Sequence, residues 1–306
     1  MRRPRIISLF AALLAAGAFA SGSLEYDRAR ELYQHTEYQQ SLAALSQIAV
    51  KDVADLKLMG QNYFMLGDHQ KAIEAFDQAL AAVPNRTASN QASRATRSQL
   101  YHWLGRTLGR RAETGSVFTA PGNASKARAS FEEAVRLDPA NQEAVNDLFD
   151  FYLQAPGFLG GSVEKAEALA QRIGQLNAAE GHYAQAQLAD KRRQYDEADR
   201  QLRLAAELEP HDVGRWIDVA KHLARRGRIR ESDAVLDQAA SIAPPGTPQL
   251  LFARAEIYIH HHYRLDDARM LLDRYLRAAL TPDDPPRQRA RALLERLGAA
   301  RDRAVE

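Results

Sequence analysis

The stretch VADLKLMGQNYFMLGDHQKAIEAFDQALAAVPNR, residues 53–86, decides how the rest of the chain is read. Leu56, Met59, Gly60, Tyr63, Gly67, Ala72, Phe76, Ala79 and Pro84 stand in it with helical spacing on either side of a turn glycine. Small or apolar residues at steps of three and four mark one face of a helix, and a glycine between two such runs marks a turn. The pattern returns along the chain. Residues 98–141 carry Tyr101, Leu104, Gly105, Leu108, Ala127, Phe131, Ala134 and Pro139. Residues 179–212 carry Ala186, Tyr195, Ala198, Leu202, Ala205 and Pro210, and residues 213–246 carry Trp216, Ala220, Leu223, Gly227, Leu236, Ala239 and Pro244. Pro210 and Pro244 stand 34 positions apart. Repetition at a period of this length is the mark of stacked helical pairs, none of which buries its apolar face alone.

Residues 53–86 resemble a tetratricopeptide repeat, with Leu56 in place of the usual tryptophan and Met59 in place of leucine. In that frame Gly60 lies where the two helices of a pair cross closely, and Tyr63 and Phe76 fill the space between them. Gly67 ends the first helix in the left-handed conformation that glycine adopts at low cost. Ala72 and Ala79 are small where the second helix meets its neighbours, and Pro84 stops that helix. The resemblance implies an all-α fold: a right-handed α-solenoid of about seven helix–turn–helix units plus a C-terminal capping helix. The expected units are 21–52, 53–86, 98–141, 142–178, 179–212, 213–246 and 247–281, with 87–97 a linker or helix extension and 282–306 the cap and tail. Ala290, Leu293, Leu294 and Leu297 give the cap one apolar face, which the open end of a repeat array needs. Insertions are expected at 112–121 and 155–160. Phe118 in the first is read as packing back on the array. In the second, Gly160 and Gly161 are read as a structural turn and Ser162 as the cap of the next helix.

Of the 306 residues, 41 are Lys or Arg, 39 are Asp or Glu and none is Cys. The absence of cysteine excludes disulfide scaffolds, thiolate zinc sites and cysteine nucleophiles. Arg2, Arg3 and Arg5 precede an apolar run from Ile6 to Phe19, followed by Ala18-Phe19-Ala20 and Ser21. This is the layout of a secretory signal peptide over 1–20, with cleavage expected after Ala20. Removing its three arginines from 41 leaves 38 basic against 39 acidic residues, a net charge of −1. That balance argues against a nucleic-acid partner. No later apolar run approaches the roughly 20 residues a membrane span needs. The expectation is an exported chain located in the periplasm.

No His-Glu-x-x-His, Gly-x-Ser-x-Gly or dinucleotide motif occurs, so the chain is read as a non-enzyme with no cofactor and no metal site. His260, His261 and His262 are consecutive, and neighbours on a helix point about 100° apart, which does not suit one metal ion. Trp103 and Trp216 read as packing residues, and Asp190-Lys191-Arg192-Arg193 as a solvated turn. Arginines 225, 226, 228 and 230 surround Gly227 at another turn.

Partners of this family bind along the first helix of each pair. Carried over unit by unit, the resemblance implies a groove of Tyr26, Arg30, Tyr33, Lys57, Gln61, Phe64, His102, Arg106, Asn146, Asp150, Tyr183, Gln187, Ile217, Lys221, Phe252 and Glu256. The chaperone-binding subtype is not matched: Gln61 accompanies Lys57, Trp103 takes the place of an asparagine, and Asp147 stands where an arginine belongs. The function implied is an exported scaffold or adaptor for a protein or peptide, in envelope assembly or transport. The rival reading is a small-ligand protein associated with solute uptake, its insertions closing an apolar pocket at Phe118 or Phe158.

Overall fold

The computed structural model describes residues 24–84, 90–116 and 118–305. The expected signal segment 1–20 lies outside them. The described residues form fifteen α-helices and no strand. Seven helix–turn–helix pairs run α1 (24–34) with α2 (Tyr38–Ser46), α3 (Val53–Met65) with α4 (His69–Ala82), α5 (Gln91–Thr114) with α6 (Ala120–Leu137), α7 (Gln142–Gln154) with α8 (Val163–Leu176), α9 (Ala178–Lys191) with α10 (Tyr195–Leu208), α11 (Val213–Arg225) with α12 (Ile229–Ile242), and α13 (Pro248–His260) with α14 (Leu265–Arg277). A last helix, α15 (Arg287–Val305), follows. They fall into two compact units divided in the sequence within α7, one up to Asp147 and one from Leu148.

In the first unit the close crossings form as the small residues dictate. A Cβ placed on Gly60 of α3 would stand 2.5 Å from the Phe76 ring of α4, and one on Gly105 of α5 would stand 2.6 Å from the Phe131 ring of α6. Phe76, Ala72 and Ala79 are fully buried. Gly67 turns the chain from α3 to α4 with φ +79. Buried polar groups link successive pairs. Asn62 donates to Ser41 Oγ at 3.0 Å, and Ser41 donates to the Ala29 carbonyl at 2.7 Å. Asp52 starts α3 as a capping box: its carboxylate accepts from Ala54 and Asp55 N–H, and Asp55 accepts from Asp52 N–H.

The polar stretch before Tyr101 is helical from Gln91, started by Asn90, whose side chain accepts from Ala92 N–H at 3.0 Å. Half of the insertion at 112–121 is helix as well. Residues 112–114 lengthen α5, and Ala120 and Pro121 open α6. This corrects the expectation for Phe118. The extra residues extend two helices and leave too short a turn to fold back, so the ring is 92% exposed.

In the second unit the α8–α9 crossing brings the backbones of Gly174 and Gly181 into direct contact, with no side chain between them. Residues 157–159 form a single 3-10 turn, and Ser162 accepts from Lys165 N–H at 3.3 Å to cap α8. Trp216, Ala220, Leu223, Leu236, Ala255, Tyr258, Leu272 and Tyr275 build the core. Ala290 and Leu297 of α15 join it, and α15 packs on α13 and α14. No helix among the described residues is long and apolar enough to cross a membrane.

Gly60→Ala and Gly105→Ala should each destabilise the fold by about 1–3 kcal/mol, because the added methyl meets an aromatic ring. Gly109 sits within α5 with open space around its Cα. Gly109→Ala should therefore be neutral or stabilising by up to about 1 kcal/mol through helix propensity. Urea titrations of the three variants compare them directly.

Candidate binding faces

In each unit the first helices of the pairs bring together part of the expected groove. In the first unit the centre is Trp103 on α5. Its ring lies 5.5 Å, edge-on, from Phe64 of α3 and 6.2 Å from Phe76 in a stacked pose. The Arg106 guanidinium covers both half-buried aromatics, 4.5 Å from the Trp103 ring and 5.4 Å from Phe64. Arg106 also lies 3.8 Å from Asp147. Lys57 donates to Gln99 at 3.0 Å, and burial holds its ammonium below the usual lysine range, against a smaller opposing pull from Glu143. Phe64, Trp103 and Arg106 thus form an aromatic patch topped by a cation.

His102 does not belong to that patch. It is 2% exposed, with its Nε2 2.7 Å from Asp147 and its Nδ1 3.6 Å from Glu143. Tyr33, Ile217 and Phe252 are corrected in the same way: all three are core residues. A fixed offset along each helix does not say how far that helix is rotated about its axis, and packing has turned these four side chains inward. Tyr26 is half-buried against the first unit's core cluster, whereas Arg30 is exposed and 3.5 Å from Asp27. Gln61, Asn146 and Asp150 are half-buried.

In the second unit, α9, α11 and the end of α7 enclose a groove of about 540 Å³. Tyr183, Gln187 and Lys221 line it as expected. Gln187 donates to Asp150 at 3.1 Å. The groove also takes Asp190, Lys191, Arg193, Tyr195, Asp218, His222 and Arg225, none of which the repeat offset selected. Asp218 follows Ile217 directly. The alternation of a buried Ile217 and a groove-lining Asp218 was visible only as one apolar and one charged neighbour. Glu256 lies at the next helix, 3.5 Å from Lys221, and also pairs with Arg289 of α15.

Charges in this groove largely pair off. Arg225 stands 3.7 Å from Asp190, and His222 stands 3.7 Å from the same carboxylate. Burial lowers the affinity of His222 for a proton, with Asp190 opposing. Arg215, almost fully buried, bonds Glu180 and Glu209 and lies 5.4 Å from the Tyr183 ring. Burial raises the Tyr183 hydroxyl well above the usual phenol range. Asp218 is different: it has no hydrogen bond and no ion pair within 4 Å among the described residues. Burial pushes its carboxyl from 3.8 up to about 6, opposed by the more distant Arg215 and Lys221, with Asp212 and Glu180 adding in the upward direction.

Phe118 and Phe158 are 92% and 84% exposed, and neither lines this groove. The three histidines 260–262 sit at the end of α13, and no cluster of three metal-ligating side chains occurs among the described residues.

This arrangement defines a helical-repeat protein with side chains presented from the first helix of each pair. The family model described as tetratricopeptide repeat matches residues 53–86. No curated protein matches the chain. Among solved structures, a tetratricopeptide repeat protein from Parabacteroides merdae is 17% identical, with a TM-score of 0.53 over 91% of this chain and 99% of its own. The human IFIT1 dimer with PPP-AAAA is also 17% identical, with a TM-score of 0.55 over 89% of this chain and 59% of its own. At such identity the likeness is one of fold. Residues 53–86 match the tetratricopeptide repeat model, and the chain as a whole has the fold of tetratricopeptide repeat structures.

Asp218 carries a testable cost. Between about pH 4 and pH 6 the unfolded chain has released a proton that the native groove still holds. Stability contributed at this site is therefore lost as pH rises through that window, and the loss is complete above it. Asp218→Asn should stabilise the protein by about 1–2 kcal/mol at pH 7.5, allowing for screening, and leave it unchanged near pH 3.5. Urea titrations at the two pH values decide; equal effects at both would show that the carboxylate is not the source.

Proposed function

We propose that the chain is an exported scaffold that captures a protein or peptide partner along the first helices of its repeats, without catalysis, in envelope assembly or transport. The groove of the second unit carries this reading. It joins Tyr183, Gln187 and Lys221, drawn from two successive repeats, around a solvent-open space of about 540 Å³. Amides such as Gln187 suit a peptide backbone, and aromatic rings such as Tyr183 and Tyr195 supply contact area at low entropic cost. The patch of Phe64, Trp103 and Arg106 offers the first unit a surface of the composition enriched at binding hot spots. Export is supported by the arginines at 2, 3 and 5, the apolar run to Phe19 and the small residues at 18 and 20.

A photo-crosslinking residue at position 187 should capture a discrete partner in cells, whereas the same residue in place of exposed Gln238 on α12 should not. Equal capture at both positions, or none at either, would remove the groove from the proposal. A fusion to a reporter active only outside the cytoplasm should be active; activity confined to a cytoplasmic reporter would remove export.

A further inference from the structure

The groove of the second unit has a charge pattern more particular than its mixed lining suggests. Lys221 is engaged by Glu256, and Asp190 by Arg225 and His222. Arg192 pairs with Glu167 away from the groove. What remains is separated in space. Asp218, without an ion-pair partner, stands in the middle of α11. Lys191 and Arg193, whose side chains likewise make no hydrogen bond or ion pair among the described residues, stand where α9 ends, and Arg225 ends α11 and lines the same groove. From Asp218 to Arg225 is seven residues of helix, roughly 10 Å at 1.5 Å per residue.

Arg193 is held there against backbone preference. The corresponding turn position is Gly67 between α3 and α4 and Gly227 between α11 and α12, with φ +79 and +74. In the α9–α10 turn it is Arg193, with φ +62. Thr36 and His262 occupy it in the first and last pairs. A left-handed non-glycine costs roughly 1–2 kcal/mol. Arg193 carries that cost where it lines the groove together with Tyr195, whose ring lies 3.6 Å from the Arg226 guanidinium.

From this pattern we infer that the groove takes an extended peptide segment bearing a cationic side chain, seated at Asp218, and a carboxylate side chain about four residues away, seated at Lys191 and Arg193. The inference rests on the groove being the partner-binding surface. An extended chain advances about 3.3–3.6 Å per residue, so an even step of four, about 13–14 Å, returns to the same side of the strand and reaches past the roughly 10 Å between Asp218 and Arg225, the long Lys191 and Arg193 side chains taking up the difference. The bound cation also supplies Asp218 with the partner it lacks, which the raised proton affinity of that carboxyl reflects.

The test uses blocked heptapeptides with one lysine and one glutamate four positions apart among alanines, titrated into the full-length protein at pH 7.5 and followed by NMR shift changes. The lysine–glutamate peptide should bind roughly tenfold tighter than the analogues with glutamine for lysine or glutamine for glutamate, as charge-assisted hydrogen bonds allow. Asp218→Asn should erase the advantage of lysine and leave that of glutamate. Arg193→Gly with Lys191→Gln should erase the advantage of glutamate and leave that of lysine; the glycine relieves the turn and so preserves the fold. Equal binding of all three peptides, no binding by the lysine–glutamate peptide, or the same loss for every peptide in either variant would overturn the inference. Crosslinking at position 187 separates the two levels. Capture there with no charge preference sinks the charge pattern alone, and no capture sinks the groove itself.

Discussion

At Gly60 the backbone of α3 passes so close to the Phe76 ring that the space for a single methyl group is already taken. Gly105 and Phe131 reproduce the contact one pair later. This close crossing is what the rest of each unit depends on. An aromatic ring from the second helix covers a bare patch of the first, and the pair becomes one slab with apolar surface left on its flanks. Alanines such as Ala72 and Ala79 then let the next slab approach. In the second unit the tightest approach moves to α8 and α9, where Gly174 and Gly181 touch backbone to backbone. There the contact joins successive pairs rather than the two helices of one pair, and again nothing larger than hydrogen stands at it.

That packing uses one side of each first helix and leaves another available. In the first unit the available side gathers Phe64, Trp103 and Arg106 into a stack in which a cation covers aromatic faces. In the second it gathers polar groups around a groove, and there the balance of local stability and binding is visible. Asp218 is a carboxylate taken partly out of water without a partner, and Arg193 is a bulky residue in a glycine conformation. Each opposes folding slightly, and both border the same groove, although the left-handed turn position also holds Thr36 and His262 in other pairs.

The repeats were legible because helical packing is local and periodic. Gly60, Phe76, Ala79 and Gly67 act within one 34-residue unit, so their roles follow from spacing. The groove was legible only in part. Tyr183, Gln187 and Lys221 line it, but Ile217 beside Lys221 is core and Asp218 is the residue that faces the space. His102 looked like a surface residue at a groove position and is instead closed in by Asp147 and Glu143 from the following helix. Such outcomes depend on rotations of tens of degrees about a helix axis, and a pattern of apolar and polar letters does not resolve neighbours 100° apart.

By itself the sequence determined an all-α repeat architecture, its paired helices and the residues at their crossings, because contacts between residues a few turns apart are encoded by local spacing. Only the tertiary structure decided which charges meet. Asp190 neutralises Arg225 from another repeat, and Glu256 engages Lys221. Asp218, Lys191 and Arg193 are left over, since ion pairing is settled by distances between helices that are far apart along the chain.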